Sequence, residues 1–126
     1  MNITKLIIIL MCSIFSTNIL AYGSSSSKKA CSKPKFTQFT PAHLAIVAEQ
    51  SEFSFLASAS TNPESIKVSV KKQLVDVDIK KVNTGYSVTG SVPASLKNTY
   101  ARVEIKATGT NNCNGSDGWL LKIEEK

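Results

Sequence analysis

The residues able to do chemistry in this sequence are few and scattered. His43 is the single histidine, and no serine lies in the G-x-S-x-G setting of a hydrolase nucleophile. Because a Ser–His–Asp site needs a histidine that reaches both a nucleophile and an acid, we interpret His43 as a loop residue. Asp76 and Asp78 alternate with Lys80 along one segment, which indicates solvated surface charges rather than a catalytic pair. The sequence therefore predicts a protein that is not an enzyme.

Metal binding has one open candidate. Copper sites use His, Met and Cys ligands, and beyond residue 21 the chain offers His43, no methionine and two cysteines. Oxygen-bearing side chains recur at Asn112, Asn114, Ser116 and Asp117, as they do in calcium-binding loops. A turn rich in Asn and Gly explains the same four residues. We predict no cofactor and keep a calcium-type loop as the alternative.

The first 21 residues have the layout of a signal peptide. Lys5 supplies the positive start, residues 6–14 are almost wholly apolar, and Ala21 is a small residue at the expected cleavage point. The apolar stretch is shorter than the roughly 20 residues that span a bilayer, although an uncleaved anchor is the alternative. Cleavage near Ala21 predicts a periplasmic or secreted protein that contacts the membrane only during export.

The cysteines predict one disulfide. The chain has three cysteines, and Cys12 lies within the predicted signal peptide. Cys31 and Cys113 remain, and an exported chain of this size is expected to join them. Such a bridge closes a loop of about 80 residues, to which the chain-entropy model assigns roughly 4–5 kcal/mol.

The rest of the chain divides into a tether and one domain. Residues 22–30 (YGSSSSKKA) are predicted to be a flexible tether, and residues 31–126 the folded domain. From Cys31 onward apolar and polar residues alternate with a period of two, apart from a weak helical stripe at residues 44–48. This pattern predicts seven short strands at residues 36–39, 53–60, 66–71, 75–80, 86–90, 101–107 and 119–123.

Seven strands with one apolar face each fit a two-layer antiparallel β-sandwich. The first and last strands would lie close together, which would bring Cys31 to Cys113. Segments 41–55, 63–70, 85–88 and 96–103 resemble the immunoglobulin-like and fibronectin-type repeats of exported bacterial proteins. The resemblance implies an immunoglobulin-like sandwich. The cysteines and Trp119 lie outside the central strands where antibody domains place theirs, and a fold does not imply a function.

The surface charge favours a binding role. The chain has 15 basic and 9 acidic residues, a net charge of +6. The basic pairs are not interleaved with aromatic residues that could stack on bases, so nucleic acid is not predicted. We predict a non-catalytic module that binds another envelope or secreted protein, with a small-ligand or ion carrier and adhesion to an anionic envelope surface as alternatives. The candidate contacts are Lys71, Lys72, Lys80, Lys81 and Trp119, the last being alternatively a core residue.

Overall fold

The computed structural model describes residues 30–125. The predicted signal peptide, and the predicted tether up to residue 29, lie outside the described residues. Nine strands occur within residues 30–125, and a 3-10 turn at Pro63–Ser65 precedes the fourth. The strands are β1 (Phe36–Thr40), β2 (Ile46–Ala48), β3 (Glu52–Ser58), β4 (Lys67–Val70), β5 (Gln73–Val75), β6 (Asp78–Val82), β7 (Gly85–Ser91), β8 (Thr99–Thr108) and β9 (Asn114–Glu124).

The strands form two sheets, which confirms the predicted two-layer sandwich. One sheet has four strands in the order β1-β3-β7-β6, and the other has five in the order β2-β9-β8-β4-β5. Neighbouring strands are antiparallel, except that β2 runs parallel to β9. The predicted number of strands was therefore wrong by two, and both extra strands have a physical explanation.

The first extra strand arises because the predicted strand at residues 75–80 is divided between the sheets. Val75 ends β5 in the five-stranded sheet, and Asp78 begins β6 in the four-stranded sheet. Val75, Val77 and Ile79 pack against the same core on both sides of this crossing. Because both sheets face one core, apolar alternation continues through the change of sheet. The sequence pattern therefore does not show where one strand ends and the next begins.

The second extra strand is β2, where a weak helical stripe was predicted. The backbone N–H of Leu44 donates to Leu120 O at 2.7 Å, and that of Lys122 donates to Ala45 O at 2.9 Å. These hydrogen bonds dock the segment beside the C-terminal strand. Long-range pairing with β9 therefore overrides a local pattern that covers little more than one helical turn.

Alternating apolar residues of the two sheets build the core. Phe53, Phe55 and Ala57 of β3 are buried, as are the inward residues of β8, among them Val103 and Ile105. Trp119 of β9 is 2% exposed, and its Nε1–H donates to Pro41 O at 2.9 Å. Its ring centroid lies 4.8 Å from Phe39, 6.0 Å from Phe53 and 6.2 Å from Phe55.

The disulfide between Cys31 and Cys113 is present, as predicted. Their Cα atoms lie 5.3 Å apart and 82 positions apart in sequence. An isolated bridge between Ser32 and Thr110 runs beside the disulfide, and Asn111 Nδ2 donates to Ala30 O at 3.1 Å. The disulfide thus ties the segment before β1 to the turn before β9. Within residues 30–125, no helix has the length and apolarity needed to span a bilayer.

Candidate functional site

The side chains that could do chemistry are dispersed in the fold. His43 is exposed, and its Nδ1 accepts a hydrogen bond from Leu120 N at 3.2 Å. Asp76 lies in the segment that links the two sheets, and Asp78 begins β6. Across residues 30–125, no three His, Cys, Asp or Glu side chains converge as a metal site would require.

The calcium candidates lie differently from the predicted loop. Asn112 is in the turn before β9, with a positive φ of 57°, but Asn114, Ser116 and Asp117 belong to β9 itself. The expectation of a loop through these positions was wrong, because β9 pairs with β8 from Asn114 to Ile123. Ser116 and Asp117 nevertheless line one groove together with Lys106. Calcium binding by these residues stays a prediction.

The predicted surface contacts separate into three places. Lys71 and Lys72 form the hairpin loop between β4 and β5, whereas Lys80 and Lys81 lie on β6 at the edge of the other sheet. All four lysines are exposed. Trp119 is not a surface contact: it is buried among the aromatic rings of the core, as the alternative interpretation expected.

One surface of the sandwich combines exposed apolar and basic side chains: the outer face of the five-stranded sheet. Val103 and Ile105 of β8 point into the core, so Tyr100, Arg102 and Glu104 point outward. The strand register then aligns outward residues of neighbouring strands in rows across the sheet.

The first row lies near the C-terminal end of β9. Lys122 of β9 pairs with Tyr100 of β8 on one side and with Ile46 of β2 on the other. Tyr100 is 56% exposed and Ile46 is 64% exposed, and Lys122 Nζ lies 5.6 Å from the centroid of the Tyr100 ring. Arg102 and half-buried Leu120 form the adjacent pair. We give the name apolar row to Ile46, Tyr100 and Lys122 together with Leu120 of the adjacent pair.

The second row lies six residues away along β8, which is about 20 Å. There Lys106 of β8 is paired with Lys67 of β4 and with Ser116 of β9. All three side chains are exposed. We call Lys67, Lys106 and Ser116 the lysine row.

The outer face of the four-stranded sheet has a different character. Ser54 of β3 pairs with Thr89 of β7, and Leu56 pairs with Ser87. Hydroxyl side chains are therefore frequent on that face, and Asp78 and Lys80 of β6 add charges to it, since they pair with Thr89 and Ser87. The outer face of the five-stranded sheet differs in its exposed large side chains, Ile46, Leu74 and Tyr100, which single it out as the candidate binding surface.

The two packed sheets define the chain as a two-layer β-sandwich protein, and comparison with known proteins agrees. No family profile and no curated protein matches the sequence. The structure is similar to CopC from Methylosinus trichosporium OB3b, with a TM-score of 0.56 and 12% identity over 73% of this chain and 94% of CopC. It is also similar to PcoC, a methionine-rich copper resistance protein from Escherichia coli, with a TM-score of 0.51 and 13% identity over 73% of this chain and 99% of PcoC. At these identities the likeness shows the fold.

Residues 30–125 offer few of the softer ligands that copper uses. Thiolate and thioether side chains select Cu(I), and imidazole also suits copper. Cys31 and Cys113 are joined in the disulfide, and His43 has its Nδ1 engaged by a backbone N–H. The methionines of the chain are Met1 and Met11, both within the predicted signal peptide.

Sequence reasoning missed the residues that make the outer face distinctive. Ile46 was assigned to a helical stripe, Lys106 was assigned to the outer side of the predicted strand 101–107, and Tyr100 lay just before that strand. Their outward orientation could be read from the alternation around Val103 and Ile105. That these residues lie close together could not be predicted from the sequence, because it depends on the strand order β5-β4-β8-β9-β2.

Proposed function

We propose that this chain is an exported, non-catalytic module that binds another protein through the apolar row of its five-stranded sheet. The exposure of Tyr100 and Ile46 carries the proposal, because these two large side chains flank Lys122 on one sheet face. Tyr and Arg are enriched among the residues that dominate interface energies, and Arg102 is a neighbour of Tyr100 on the same face. Exposed apolar groups among polar residues are typical of interaction sites.

The partner we propose has an apolar patch bordered by acidic side chains. Lys122 and Arg102 contribute positive charge around Tyr100, while Glu104 lies 3.7 Å from Arg102 Nε and Glu124 lies 3.2 Å from Lys122 Nζ. These surface ion pairs are weak, so carboxylates of a partner could replace Glu104 and Glu124. The exported location is supported by the predicted signal peptide and by the disulfide, since disulfides persist in oxidising compartments.

A paired substitution tests this proposal. Ile46→Ser with Tyr100→Ser removes the two most exposed large side chains of the apolar row, and Val82→Ser is the matched control because Val82 is 38% exposed on β6 of the other sheet. The tagged chain is used to capture proteins from native envelope extract at low and moderate salt. We expect wild type and Val82→Ser to retain one protein at both salts, and the double variant to lose it. Equal retention by all three proteins, or an empty eluate from wild type, would contradict the proposal.

An ion carrier is the second candidate function, and the fold likeness to CopC and PcoC favours it. Copper would find few soft ligands among residues 30–125, and the ion we propose is calcium, at Asn112, Asn114, Ser116 and Asp117. Melting the protein with and without calcium tests this candidate, because a ligand present at 100 times its dissociation constant stabilises the folded state by about 2.7 kcal/mol. A calcium-dependent rise in Tm that Asp117→Asn removes would support the carrier.

A further inference from the structure

The lysine row brings together positive charges that carboxylates do not neutralise. Lys67 and Lys106 lie directly opposite each other on β4 and β8, an arrangement in which like charges repel. The ion pairs among residues 30–125 join Lys97 to Glu49, Arg102 to Glu104 and Lys122 to Glu124. Neither lysine of the opposed pair takes part in one. A bound anion would therefore reduce the repulsion between Lys67 and Lys106.

A third lysine is held beside this pair by an unfavourable backbone conformation. Lys71 and Lys72 form a two-residue hairpin loop with φ angles of 47° and 67°. A loop with two positive φ angles favours Asn and Gly, and long side chains adopt this region at a cost of roughly 1–2 kcal/mol each. Strained residues of this kind concentrate at functional sites. The Lys71 Nζ donates to Thr99 Oγ1 at 2.8 Å, whereas Lys72 lines one groove with Lys67 and Lys106.

Two grooves meet at the opposed lysines. The first has a volume of about 440 Å³, and Lys72, Ser69 and Glu104 line it together with Lys67 and Lys106. The second has a volume of about 360 Å³ and is lined by the same two lysines and by polar groups from β9 and the 3-10 turn, namely Ser65, Asn114 and Ser116. Hydroxyl and amide groups thus lie on both sides of Lys67 and Lys106, while Leu74 and Glu104 also line the first groove.

The acidic neighbours do not cancel these charges. Glu104 lines the first groove, but its Oε1 lies 3.7 Å from Arg102 Nε. Asp117 lines a further groove with Lys106, and its Oδ1 accepts the N–H of Gly118 at 2.7 Å. Lys67, Lys72 and Lys106 all lie beyond 4.0 Å from any carboxylate oxygen of the described residues.

We propose that Lys67, Lys72 and Lys106 bind a phosphate group, carried either by a small phosphorylated molecule or by a lipid headgroup. Phosphate accepts hydrogen bonds through several oxygens and carries up to two negative charges near neutral pH, which suits three ammonium donors with hydroxyl groups beside them. Lys67 and Lys106 lie about 20 Å from the apolar row along β8, whereas Lys72 lies in the loop whose Lys71 contacts Thr99. The proposal rests on the opposed lysines and not on the apolar row.

Titration with inorganic phosphate, followed by backbone amide NMR shifts, tests the site directly. We expect saturable shifts at Lys67, Lys106 and Ser116, and none that saturate on β6. Vesicles of phosphatidylcholine with and without phosphatidylglycerol form the second arm of the experiment. Binding to phosphate alone would assign the site to small phosphorylated molecules, and additional binding to the anionic vesicles would extend it to lipid headgroups.

Matched variants distinguish phosphate binding at this site from a general effect of the protein's net charge. Lys67→Gln with Lys106→Gln is expected to weaken phosphate binding at least about tenfold, the effect of losing charge-assisted hydrogen bonds. The control, Lys80→Gln with Lys81→Gln, removes the same charge from the other sheet and should change affinity less than about twofold. Lys72→Asn should also weaken binding while relieving the strained loop, so its loss of affinity would not reflect unfolding.

Three results would overturn the proposal. The first is phosphate shifts that rise linearly without saturation. The second is an equal loss of affinity in the two double variants, which would make net charge the cause. The third is vesicle binding without saturable phosphate binding, which would make the interaction a surface attraction rather than a phosphate site.

Discussion

Removing the disulfide should cost this domain much of its stability. The bridge joins residues 82 positions apart, and the chain-entropy relation for a loop of that length gives about 4.5 kcal/mol at 25 °C. Small domains have unfolding free energies of about 5–15 kcal/mol. Cys31→Ser with Cys113→Ser is therefore expected to leave a marginally stable or unfolded protein.

Guanidinium unfolding followed by tryptophan fluorescence measures this loss. Trp119 is the single tryptophan of the chain and is 2% exposed, so its emission reports directly on the opening of the sandwich. Wild-type protein under reducing agent is the matched control, because it loses the bridge while it keeps both cysteine side chains. We expect the reduced protein and the double variant to unfold at similar, strongly lowered denaturant concentrations.

A small effect would refute the reasoning. The bridge between Ser32 and Thr110 and the hydrogen bond from Asn111 to Ala30 also connect the two segments. A loss below about 1 kcal/mol, the scale of a single hydrogen bond, would show that such contacts hold the unbridged chain and that loop entropy is not the main contribution.

Three further perturbations follow from the packing and can be measured by the same unfolding assay. Lys72→Asn should raise the free energy of unfolding by about 0.5–1 kcal/mol, because Asn tolerates the positive φ of 67°; an unchanged or lower value would argue against strain in the loop. Ile105→Ala should lower it by about 2–5 kcal/mol, since Ile105 is fully buried, whereas a loss below 1 kcal/mol would place Ile105 outside the core. Gly90→Ala should lower it by about 1–3 kcal/mol, because an added Cβ would lie 2.7 Å from Phe53 Cζ, and a neutral effect would mean that the ring moves freely.

The parts of the fold that rest on local pattern were predictable from the sequence. Phe53 and Phe55 of β3, and Val103 and Ile105 of β8, alternate with polar neighbours and point into the core as predicted. The disulfide was predictable because two cysteines remain beyond the predicted signal peptide, and two cysteines allow one pairing. These features depend on the side-chain period of a strand and on redox chemistry, both of which a sequence displays.

The features that depend on strand order were not predictable. The crossing between Val75 and Asp78 leaves the apolar alternation unbroken, and the pairing of Ile46 with Lys122 joins segments more than 70 residues apart. The opposed pair of Lys67 and Lys106 likewise exists only because β4 is a neighbour of β8. The apolar row and the lysine row each depend on pairing between strands that are not consecutive in sequence. The pattern of a single strand can show which residues point outward, but it cannot show which of them lie side by side.

Site-specific photocrosslinking in the producing cell is the most direct test of the proposed binding face. A photoreactive phenylalanine analogue replaces Tyr100 on the apolar row, and the same analogue at Ser87, on the outer face of the other sheet, is the control. The proposal predicts a discrete crosslinked protein from position 100 and none from position 87. Crosslinks from position 87 alone, or the same products from both positions, would contradict binding through the five-stranded sheet.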